Sequence, residues 1–102
     1  MPVPEIARRC AAVIRDRGLH QGDYMPADGN PDTCPVCIFG AVNVVLRGAP
    51  NRLGEGPAEN AFARRFKGLT GRRPDAFNDD KGCTADTVLV VLDAMAEEGM
   101  VG

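Results

Sequence analysis

The sequence predicts a mainly all-α fold, a small bundle of about four helices around a central buried helix. Three observations carry that expectation. Residues 32–48 read D-T-C-P-V-C-I-F-G-A-V-N-V-V-L-R-G, where helix-opening residues lead into an almost unbroken apolar run ending at Gly48. A segment apolar all round is normally a buried helix. Both ends of the chain carry apolar stripes at helical spacing. No repeat or low-complexity segment interrupts the pattern.

At 102 residues the chain has the size of one domain, and residues 1–102 are read as a single helical unit. Such a chain buries roughly two-thirds of its unfolded surface, enough for a core without staples. With no Trp, four Phe and one Tyr, that core must rest on Val, Ile, Leu, Ala and Met.

The first helix is expected over residues 4–17. Ile6, Cys10, Val13, Ile14 and Arg17 fall at helical spacing, and Arg8, Arg9, Arg15 and Asp16 take the other faces. Pro4 suits a first turn, Glu5 suits the positive end of the dipole, and Gly18 supplies the stop. Residues 19–31 form a long loop with a turn at Ala27-Asp28-Gly29-Asn30 and room for a short hairpin.

The second helix is expected from an N-cap at Asp32 or Thr33, with Pro35 in its first turn, through to Arg47. The first and last helices would pack across it. Gly40 costs about 1 kcal/mol against Ala in a helix interior, which points to a close helix approach with Gly40-Ala41 as the contact, as a crossing within the domain or, alternatively, a dimer seam. Asn43, if buried, needs a hydrogen-bond partner in a loop backbone or a bound molecule. A third helix is expected over 57–67 with Ala58, Ala61, Phe62 and Phe66 as its stripe and Gly68 as its end. Residues 69–82 read as irregular. The last helix starts at the N-cap Thr84, carries Val88, Leu89, Val91, Leu92, Met95 and Ala96 inward, and stops at Gly99.

These pieces carry a resemblance. A first helix running into Arg17-Gly18-Leu19-His20-Gln21-Gly22, then Asp28-Gly29, then Cys37-Ile38-Phe39-Gly40-Ala41, and last Phe77-Asn78-Asp79 before a capped helix follow in order. In this the chain resembles the small actinobacterial and phage-associated bacterial proteins of the DUF6197 family. The resemblance implies a compact, mainly helical domain of unassigned activity.

Charge and length restrict the function classes. The net charge is −2 and the pI about 5.3, so no global positive field draws nucleic acid. Residues 64–73 carry Arg64, Arg65, Lys67, Arg72 and Arg73 with no acid, whereas residues 75–98 carry seven acids and one Lys. The basic stretch is expected to pair with that acidic third. As an interaction patch, Arg64, Arg65, Arg72 and Arg73 would meet phosphates or an acidic partner. No apolar stretch reaches the ~20 residues that span a membrane. The N-terminus lacks a signal-peptide pattern, and a cytoplasmic location with reduced thiols is expected.

Several constellations bear on chemistry. Cys34 and Cys37 form a Cys-x-x-Cys at a helix start, where N–H groups favour thiolate. A thioredoxin-like site needs a buried strand before the motif, and the preceding loop cannot supply it. Cys34, Cys37 and Cys83 with His20 or Cys10 would suit zinc, although only one short pair exists. In the packing alternative, Cys10 and Cys37 fill the core and Cys34 and Cys83 sit in caps or loops. A nucleophile arrangement would use Cys37 with His20 as base, Gln21 as oxyanion donor, and Asn78 or Asp79 to orient His20. Asn78-Asp79-Asp80 with Asp75 lacks calcium-loop spacing, and Asn78 and Asp79 are expected to tie down a turn. With no complete catalytic or cofactor motif, the leading expectation is a non-enzymatic binding or regulatory module. It would act without a cofactor, through a protein partner or self-association. The alternative is a thiol- or zinc-dependent site at Cys34 and Cys37.

Overall fold

Helix α1 (Val3–Arg17) buries Ile6, Ala7, Cys10, Ala11 and Ile14 along one face. In the computed structural model, which describes residues 1–54 and 56–98, four more helices follow: α2 (Ile38–Arg47), α3 (Pro57–Thr70), α4 (Pro74–Asp79) and α5 (Ala85–Glu97). The helical bundle that the apolar pattern predicts is present, and the described residues form no strand. The buried apolar residues make one contiguous cluster drawn from α1, α2, α3, α5 and the loop before α2.

The packing order differs from expectation in one respect. Helix α5 packs chiefly on α1, and α1 also meets α2 and α3, whereas α2 packs on α1 and α4. Helix α1 has neighbours on several sides, while Val44, Val45 and Leu46 of α2 stay partly exposed. Phe62, Phe66 and Phe77 form the aromatic part of the core. Phe62 and Phe66 have centroids 6.2 Å apart, and Phe66 meets Phe77 edge to face at 5.2 Å. Such pairs contribute about 0.5–1.5 kcal/mol beyond area burial.

The start of α2 is a correction. Asp32 and Thr33 do not cap it. They lie in a turn held by Asn30, whose carbonyl accepts from Thr33 N (3.1 Å) and Cys34 N (2.8 Å). The physical reason is Pro35, which pushes the preceding Cys34 away from helical backbone angles. Helix α2 begins only at Ile38, and Cys37 is the N-cap. The roles of the two cysteines are therefore exchanged: Cys34 is buried in the core, and Cys37 is the cap.

No hairpin occupies the long loop. Its two ends meet in an isolated parallel bridge, Leu19 against Val36, with His20 N donating to Val36 O at 2.9 Å and Val36 N to Gly18 O at 3.3 Å. The loop is thus a closed excursion that returns to its starting point.

Helix α3 runs past Gly68 to Thr70. An exposed glycine inside a helix is tolerated at about 1 kcal/mol, and Gly71, at φ 77°, provides the left-handed stop instead. The segment expected to be irregular contains α4, started by Pro74 in the first turn. Thr84 caps α5 as expected, accepting from Thr87 N at 3.3 Å. The expected stop at Gly99 lies outside the described residues.

Ion pairs engage the basic stretch. Arg65 meets Glu98, Arg72 meets Asp80 at 2.5 Å, and Arg73 meets Asp75 at 3.2 Å. All three are exposed and screened by salt. Among the described residues, no helix is long and apolar enough to cross a membrane.

Candidate functional site

The closed loop, the start of α2 and the end of α4 are joined by side chains that bond distant backbone. Asn78, 1% exposed, is the centre. Its Oδ1 accepts from Ile38 N at 2.8 Å, and its Nδ2 donates to His20 O at 3.0 Å. Gln21 Nε2 donates to Asn78 O and Asp80 O, both at 2.9 Å. Asp79 Oδ1 accepts from Gly22 N at 2.9 Å. The turn-tying role expected for Asn78 and Asp79 thus reaches across the fold rather than to the turn before α5.

This network brings together the segments of His20, Gln21, Cys37, Asn78 and Asp79 and engages their polar groups. Both Gln21 N–H groups point at carbonyls, which removes them as oxyanion donors. His20 contributes its backbone, and its imidazole does not line the cavity that holds Cys37. Cys37 Sγ accepts from Gly40 N at 3.2 Å. Burial pushes the Cys37 thiol up from its ordinary range, and the Asp79 charge adds to the effect, against the helix-start N–H groups of Gly40 and Phe39. Burial also raises the Cys10 and Cys83 thiols. A thiol held protonated at neutral pH is a weak nucleophile.

As a helix cap, Cys37 allows a clear expectation. Cys37→Ser keeps an acceptor at a position where Ser is favoured, so thermal stability should be retained. Cys37→Ala should lower it by about 1 kcal/mol. Urea unfolding of the two variants checks the pair.

All four cysteines are free thiols. Among the described residues, no three His, Cys, Asp or Glu side chains are grouped to hold a metal ion. Cys34, Cys37, Cys83, His20 and Cys10 are therefore not assembled as a zinc set, nor are Asp75, Asp79 and Asp80 as a cation site.

Two adjoining cavities share one aromatic wall. The larger, about 390 Å³, is lined by Tyr24, Phe39, Asn43, Leu53, Glu59 and Arg73 among others. The smaller, about 200 Å³, holds Tyr24, Phe39 and Cys37 with Asp23, Asp75 and Asp79. Tyr24 and Phe39 line both. Phe39 and Asn43 are one turn apart on α2, so they share a face. The close approach expected at Gly40 is made by the loop, not by a helix: a Cβ there would overlap the Tyr24 carbonyl oxygen and crowd Val36 Cβ at 3.1 Å. Asn43 meets the requirement of a buried amide in part, donating from Nδ2 to Pro50 O at 2.9 Å.

Glu59 fixes the floor of the larger cavity through Arg47, at 2.8 Å in a half-buried pair. The Arg47 hydrogen bond holds the Glu59 carboxyl below its usual range, against the opposing effect of burial. Because the folded value is depressed, the pair stabilises the fold above the unfolded carboxylate pKa, and this is lost as pH falls through the folded value. The stability gap between wild type and Glu59→Gln should be constant near neutrality and shrink below about pH 4. Urea titrations across pH measure it.

The sequence pattern of a family described as "Family of unknown function (DUF6197)" matches residues 1–98. The chain belongs to this family. No curated protein and no solved structure matches the chain.

Proposed function

We propose that this chain is a non-enzymatic binding module that engages a protein partner at the Tyr24–Phe39 cleft. One observation carries the reading. The chain has five aromatic residues, four Phe and one Tyr. Phe62, Phe66 and Phe77 belong to the core, whereas Phe39 stands outside the core cluster and joins Tyr24 in lining both cavities. Aromatic residues held at a cleft rather than in a core are the common anchors of protein interfaces. The cavity volumes also fit the seating of one or two partner side chains. The raised Cys37 thiol and the engaged Gln21 and Asn78 groups weigh against nucleophilic chemistry at the same place.

A photo-crosslinking amino acid placed at Tyr24, in cells of the native host, tests the reading. The expected result is a discrete crosslinked protein that is absent when the same residue is placed at exposed Val90 on α5. Equal products from both positions, or none from Tyr24, would contradict it.

A further inference from the structure

We draw no further inference here: the strongest candidate, the larger cavity beside the Arg47 guanidinium, whose Nη1 is buried with no hydrogen-bond partner among the described residues, belongs to the cleft already described, where Arg47 is not among the lining side chains and nothing in the structure shows what occupies it.

Discussion

Asn78→Ala is expected to destabilise the protein by about 3 kcal/mol. The side chain is 1% exposed and satisfies two backbone groups from different segments, Ile38 N–H and His20 C=O. Removing it leaves buried groups unpaired, at ~1–3 kcal/mol each. A domain of this size has only about 5–15 kcal/mol in total. The loss is amplified structurally, because the same side chain fixes the N-terminus of α2 to the closed loop. Urea unfolding should show a lower midpoint with an unchanged slope. Asn78→Asp keeps the acceptor for Ile38 but loses the donor to His20 and buries a charge. It should be as damaging at neutral pH and partly recover as pH falls, since burial favours the protonated carboxyl. A fully stable Asn78→Ala protein would mean that the loop and α2 are held some other way.

Gly40→Ala is the second large effect, and its sign runs against helix propensity. In an exposed helix interior the change would stabilise by about 1 kcal/mol. Here the added methyl group overlaps the Tyr24 carbonyl oxygen, which is main chain and cannot rotate away. The same carbonyl accepts from Cys37 N at 3.3 Å. Overpacking of this kind costs about 1–3 kcal/mol and sometimes more. We expect a net loss near 2 kcal/mol, a fall in Tm of roughly 10 °C for a chain of this length. Displacing Tyr24 should also reshape the cleft, so the Tyr24 crosslink should weaken in this variant. A rise in Tm would show that the loop does not approach α2 as closely as described.

Much of the helical framework is legible in the residues, because α1, α2, α3 and α5 each carry an apolar stripe. Helix α4 is not, since six residues are too few for a stripe, although Pro74-Asp75 is a helix-start signal. The beginning of α2 was masked by two competing starts. Asp32 and Thr33 are better caps by residue type, but Pro35 excludes Cys34 from the helix and leaves the thiol of Cys37 as the cap. The candidate site was legible only as a list. Gln21, Asn78 and Asp79 are recognisable as polar residues near turns. Their bonds, however, join positions forty or more residues apart, which local pattern does not encode.

Phe39 is hidden in the sequence for a different reason. An aromatic in an apolar helix reads as core. The available signal was register: Ile38, Ala41, Val42 and Val45 make the inward stripe of α2, and Phe39 with Asn43 fall one turn apart on another face.

The most direct test of a binding cleft against a catalytic site is calorimetric titration of the protein recovered by the Tyr24 crosslink, using wild type, Phe39→Asp and His20→Ala. Phe39→Asp places an acid in the first turn of α2, where the helix dipole favours it, and removes no core contact. His20 contributes only its backbone to the network, so alanine preserves those bonds. We expect His20→Ala to bind like wild type and Phe39→Asp to bind at least about tenfold more weakly, a loss near 1.4 kcal/mol. Full binding by Phe39→Asp together with loss in His20→Ala would contradict the cleft and return attention to His20 and Cys37.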